Sequence, residues 1–112
     1  MKLKEIVKKL GLEVLTCEER LDGEVTSGYT SDLLSDVMAN SKEGNLWITL
    51  QTHQNIIAVA KLKDLSGVVL VNKRNPDKDT VQKATEEGVV LLQTGEAAYA
   101  ISGKLYQLMG AR

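Results

Sequence analysis

The run Val68-Val69-Leu70-Val71 sets four large apolar side chains in succession, with Gly67 before it and the polar Asn72-Lys73-Arg74 after it. Successive side chains of a strand point to opposite faces. A strand with no polar face has to be covered on both sides, as in the centre of a parallel sheet flanked by helices. Two further segments repeat this logic. Leu46 to Leu50 contains Trp47, Ile48 and Thr49, and Val89 to Leu92 is a second apolar run. Each of the three is followed by a stretch with helical character, an order that favours parallel strands joined by crossovers.

The connecting helices are legible from their spacing. Ile56, Ile57, Val59, Ala60 and Leu62 predict a buried helix from after Thr52 to about Asp64. Asn75-Pro76-Asp77 predicts a helix start, with Asn75 as cap and Pro76 at the first helical position, and Gly88 ends that helix. Thr94 is expected to cap a last helix carrying the stripe Ala97, Ile101, Leu105 and Leu108. At the other end of the chain, Leu3, Ile6, Val7 and Leu10 recur at helical spacing and Gly11 supplies the stop. Leu12 to Thr16 and Val25 to Tyr29 then read as two short strands. A reversal between them is geometrically easy, but pairing order is not readable. Ser31 or Asp32 is the expected cap of a helix with Leu33, Leu34, Val37 and Met38 on its apolar face. The expected fold is therefore one α/β domain over residues 1–112, with a small, mostly parallel sheet of about five strands flanked by helices.

Composition narrows the function classes. Fourteen basic and fifteen acidic side chains give a formal charge of −1, whereas nucleic-acid binders concentrate an excess of Lys and Arg on one face. The clusters Lys2, Lys4, Lys8, Lys9 and Lys73, Arg74 read as solvated helix faces. Cys17 and His53 are the single cysteine and single histidine, so no intrachain disulfide and no Cys/His metal site is expected. Neither a membrane span nor a signal peptide is visible, and cytoplasmic residence is the expectation.

A ligand site is expected beyond the carboxyl ends of the strands, where helix amino termini also gather. That rule selects Gly28, Asp32, Gln51, Thr52, His53, Asn55, Asn72 and Thr94. The densest group is Gln51-Thr52-His53-Gln54-Asn55, lodged between an apolar strand and an apolar helix. Ordinary loop and capping roles explain such a run, and a ligand or interface role is the alternative. His53 has no evident base or nucleophile partner, and Cys17 sits beside Glu18 and Glu19, which do not favour its thiolate. Asp22 is assigned to fixing its own turn. Trp47 is expected in the core; Tyr29, Tyr99 and Tyr106 are read as packed side chains with wet hydroxyls, interface area being the alternative. No phosphate-cradling glycine loop with a lysine follows any strand. The chain is accordingly not expected to be an enzyme or to hold a cofactor or metal.

Two segments carry a family resemblance. The stretch Asp22-Gly23-Glu24-Val25-Thr26-Ser27-Gly28 resembles the motif of the DRTGG-domain family at Asp22, Thr26 and Gly28. Gly23 stands where that motif has arginine, and Ser27 where it has its first glycine. The longer segment from Trp47 to Ala60 resembles stand-alone members of the family, and the resemblance covers nearly the whole chain. It implies a relation to regulatory domains beside phosphotransacetylases and within pyrophosphatases, and a distant likeness to the amino-terminal, non-catalytic domain of the kinase that phosphorylates HPr. A non-catalytic regulatory or scaffolding domain acting through homodimerisation follows as the leading expectation. The alternative is a sensor of a nucleotide or phosphorylated metabolite at the strand ends. An anionic small molecule or a metabolic enzyme is the further partner expected, with neither nucleic acid nor membrane.

Overall fold

In the computed structural model, which describes residues 1–110, the apolar segments form a five-stranded sheet. Its strands are β1 (Glu13–Val14), β2 (Ser27–Thr30), β3 (Asn45–Thr49), β4 (Gly67–Leu70) and β5 (Leu91–Gln93). They lie in the order β1-β5-β4-β3-β2. The four strands β2 to β5 are parallel, and β1 joins β5 antiparallel, Glu13 opposite Gln93. The fold class is thus the one the apolar runs imply. β1 and β2 do not reverse against each other; they occupy opposite edges of the sheet.

Strand alternation sorts the core into two halves. Leu46, Ile48, Val69, Val71, Val90 and Leu92 face α1 (Leu3–Leu10) and α5 (Ala98–Met109). Trp47, Val68, Leu70, Val89 and Leu91 face the other way, against α2 (Leu34–Asn40), α3 (Asn55–Leu62) and α4 (Lys78–Glu87). The all-apolar run of β4 is explained by its place: third of five strands, helices on both faces, every side chain buried. Burying each such side chain contributes about 1.5–3 kcal/mol. Trp47 is fully buried, and its indole N–H donates to the Ser31 carbonyl at 2.8 Å, so the ring enters the core without an orphaned donor.

Helix stops follow local chemistry, whereas helix starts do not. Gly88 takes φ 71° and its N–H donates to the Ala84 carbonyl, closing α4 in the left-handed conformation that glycine adopts without strain. None of the predicted side-chain caps forms. The α4 cap is Asp77, not Asn75, and the helix begins at Lys78, two residues beyond Pro76. The α5 cap is Ala97, not Thr94, and the α2 cap is Leu33, not Ser31 or Asp32. Leu33 itself is 63% exposed, outside the apolar face assigned to it. Among the described residues no helix is long and apolar enough to cross a membrane.

Candidate functional site at the carboxyl rim of the sheet

Because β2 to β5 are parallel, the segments that follow them emerge at one end of the sheet. The polar residues there fall into two groups, those spent on holding the rim together and those left facing outward.

Asp32, the second residue beyond β2, belongs to the first group. Its Oδ1 accepts the Leu50 N–H at 2.7 Å and the Thr49 hydroxyl at 2.9 Å. Gln51 answers by donating its Nε2 to the Asp32 carbonyl at 2.8 Å. The ends of β2 and β3 are joined by this exchange. The Thr52 carbonyl accepts the Asp77 N–H at 3.1 Å and the Thr80 hydroxyl at 2.7 Å, tying the loop after β3 to the start of α4. Thr94 is buried and its hydroxyl accepts the Glu96 N–H at 3.2 Å within the connector to α5. Gln93 donates to the Arg74 carbonyl at 2.8 Å and to Asn75 Oδ1 at 3.0 Å, which is where the side chain of Asn75 is spent.

His53, Asn55 and Asn72 form the second group, all exposed. His53 Nδ1 accepts the Asn55 N–H at 3.1 Å, so that nitrogen carries no proton and Nε2 is the donor side of the ring. Asn72 and Lys73 are both left-handed, at φ 55° and 56°, and the Arg74 N–H donates to the Val71 carbonyl at 3.0 Å. Two consecutive left-handed residues closed by such a bond make a mirror-image tight turn. The turn is anchored from beneath: the Asn72 N–H donates to the Glu96 carbonyl and the Lys73 N–H to the Thr94 carbonyl. Lys73 and Arg74 therefore lie on the rim between β4 and α4, not on a helix face, and neither joins an ion pair among the described residues.

The motif region is separate from this rim. Asp22 pairs with Lys4 at 2.9 Å, and that contact holds its carboxyl below the ordinary range. The Thr26 hydroxyl donates to the Glu43 carbonyl and accepts from Asn45 Nδ2. Gly28 lies within β2 under α5, where a Cβ would come 2.7 Å from Leu105 Cδ2. Its environment is a cleft of about 140 Å³ between β2 and α5, floored by Ile48, Leu105 and Met109 and edged by Thr30, Ser102 and Tyr106. Thr30 and Ser102 share a hydroxyl hydrogen bond of 2.7 Å across it. Sequence reasoning missed this cleft because its two walls are 72 residues apart. It also missed Thr16, a buried hydroxyl that donates to the Val89 carbonyl and accepts the Leu91 N–H.

Tyr99 and Tyr106 are 92% and 63% exposed, contrary to their reading as packed side chains. Tyr29 is half-buried and donates to Asp36 at 2.9 Å. The Cys17 thiol is partly buried and donates to the Ala84 carbonyl. Among the described residues no three His, Cys, Asp or Glu side chains are grouped to hold a metal ion.

No protein-family model and no curated protein matches the chain. A solved structure does: the CBS and DRTGG domains of the regulatory region of a Clostridium perfringens pyrophosphatase, complexed with its activator, diadenosine tetraphosphate. The TM-score is 0.70 at 17% sequence identity, over 93% of this chain. The chain spans 45% of that structure's length. At this identity the likeness establishes a shared fold.

Proposed function

We propose that the chain is a non-catalytic regulatory domain that senses an anionic small molecule, a nucleotide or another phosphorylated metabolite, at the rim beside the β4–α4 turn. The observation that carries this reading is the pair Lys73 and Arg74, exposed and without ion-pair partners among the described residues, on a turn pinned to the next loop by two backbone hydrogen bonds. Lysine and arginine are the usual phosphate ligands. His53 and the side-chain amides of Asn55 and Asn72, all exposed at the same end of the sheet, supply further donors and acceptors. The fold shared with a regulatory region solved with a dinucleotide activator supports the same class of ligand. Asp32, Gln51 and Thr94 serve the site by fixing its frame.

A catalytic reading finds little support. The His53 Nδ1 is spent on Asn55, and Cys17 lies beside α4 and β5 with its thiol directed to a carbonyl. Titration calorimetry with inorganic phosphate, mononucleotides and diadenosine tetraphosphate tests the proposal. Binding is expected to weaken by about tenfold in Lys73→Glu, as for loss of one charge-assisted contact, and more mildly in Asn55→Ala. Binding untouched by both substitutions removes the rim from consideration, and a panel without heat removes the sensor.

A second reading, homodimerisation, is favoured by one observation. Tyr99 and Tyr106 place two large exposed rings on α5. Sedimentation across micromolar concentrations decides it, a clean monomer counting against it.

A further inference from the structure

The turn after β4 holds a residue that its backbone does not ask for. Val71 to Arg74 form the mirror-image turn, whose two central residues, Asn72 and Lys73, take φ 55° and 56°. Such a turn favours asparagine at its first central position and glycine at its second, because a Cβ at positive φ crowds its own backbone. Asn72 meets that preference. Lys73 stands in the glycine position, and the fold carries the strain.

Nothing within the chain answers for it. The Lys73 side chain is exposed and makes neither a hydrogen bond nor an ion pair among the described residues, and the same holds for Arg74. Neighbouring carboxylates claim neither cation. Glu96, whose carbonyl accepts the Asn72 N–H, has its carboxylate on Lys104 at 2.6 Å, and Asp77 joins no ion pair among the described residues. A strained side chain that its own fold does not use is a mark of a ligand site.

The amides of the turn are closed to a ligand. The Asn72 N–H donates to the Glu96 carbonyl at 2.9 Å, the Lys73 N–H to the Thr94 carbonyl at 2.8 Å, and the Arg74 N–H to the Val71 carbonyl at 3.0 Å. Phosphate-binding loops read shape through free amides. This turn has side-chain charge to offer instead, an attraction that grows with the number of anionic groups on the ligand.

We infer that Lys73 is the specificity-determining residue of the rim, held in a glycine position at the expense of stability, and that it ranks ligands by anionic charge: an oligophosphate above a single phosphate, and a single phosphate above an uncharged nucleoside. The inference rests on the sensor reading above and names what that site discriminates.

The full chain tests it in magnesium-free calorimetry with adenosine, AMP and ATP, beside urea unfolding. Affinity is expected to rise along that series and to fall as ionic strength rises. Lys73→Ala and Lys73→Gly should weaken ATP binding by about tenfold or more and flatten the series, whereas Lys73→Arg keeps it. The urea midpoint should rise in Lys73→Gly and not in Lys73→Ala, whose Cβ retains the strain. ATP binding kept in the alanine and glycine variants but lost in Arg74→Ala overturns the inference and leaves the rim reading standing. So does a parent whose affinity ignores ligand charge, or a midpoint no higher in Lys73→Gly than in Lys73→Ala. ATP binding untouched by all three substitutions, or a parent that gives no heat with AMP or ATP, overturns both.

Discussion

The carboxylate of Asp32 takes the Leu50 N–H at 2.7 Å, linking the second residue beyond the edge strand β2 to the residue that follows its neighbour β3. The same oxygen holds the hydroxyl of Thr49, a buried residue. Asp32→Ala is expected to leave that hydroxyl and the Leu50 amide without their acceptor and to cost about 1–2 kcal/mol. Urea denaturation followed by circular dichroism measures it. Asp32→Asn, which keeps an acceptor oxygen, should lose less.

Thr16 performs a comparable task inside the core. Its hydroxyl donates to the Val89 carbonyl at 2.8 Å and accepts the Leu91 N–H at 2.9 Å. Thr16→Val keeps the shape but orphans a buried backbone donor and acceptor together. A loss of about 2–3 kcal/mol is expected, against less than about 1 kcal/mol for Thr16→Ser, which retains both bonds. Fast exchange of the Leu91 amide in the valine variant would trace the loss to this bridge; an amide as protected as in the parent would refute it.

Gly28 and Leu105 should behave as a coupled pair. Gly28→Ala forces the Leu105 side chain to give way, because the added carbon lies 2.7 Å from its Cδ2. The obstructing atom is the end of a flexible chain, so a cost of about 1 kcal/mol is expected. In a Leu105→Ala background the same change should cost almost nothing. A double-mutant cycle with zero coupling would mean that α5 does not sit on β2 at this point.

The Tyr29–Asp36 hydrogen bond should shape stability at both ends of the pH scale. Hydrogen bonds from Ser31, then from Tyr29 and Asn40, hold the Asp36 carboxyl below its ordinary 3.8. Its contribution is complete above that value and disappears as the pH falls through the lowered one. Tyr29 is shifted the other way, raised above 10.0 chiefly by its hydrogen bond to Asp36. Its contribution is complete below 10.0 and is lost as the pH rises through the raised value. Urea midpoints against pH should accordingly flatten in Asp36→Asn on both limbs and in Tyr29→Phe on the alkaline limb. Lys4 likewise lowers the Asp22 carboxyl, so some acid sensitivity remains in either variant.

What was legible in the sequence depended on near neighbours along the chain. The stripe Leu3, Ile6 and Leu10 identified α1, and Gly88 identified the end of α4, because helical spacing and the left-handed stop are local properties. The parallel strands bring the segments that hold the rim residues to one end of the sheet, but the partners of their side chains were not legible. Asp32 and Thr94 are good capping side chains on paper, yet each found a partner the local chain does not disclose or spent its oxygen in the connector. Lys73 and Arg74 passed for a solvated helix face because nothing local reveals the mirror-image turn that holds them on the rim.

The sequence alone determined that Val68 to Val71 must be covered on both faces, and with it a layered α/β domain built on parallel strands, since an apolar side chain in water carries its cost wherever the chain runs. Only the tertiary structure decided that β1 adds to β5, that Gly28 lies beneath Leu105, and which rim side chains remain free. Those outcomes turn on hydrogen bonds and contacts of a few ångströms between segments tens of residues apart, and such distances exist only once the sheet has closed.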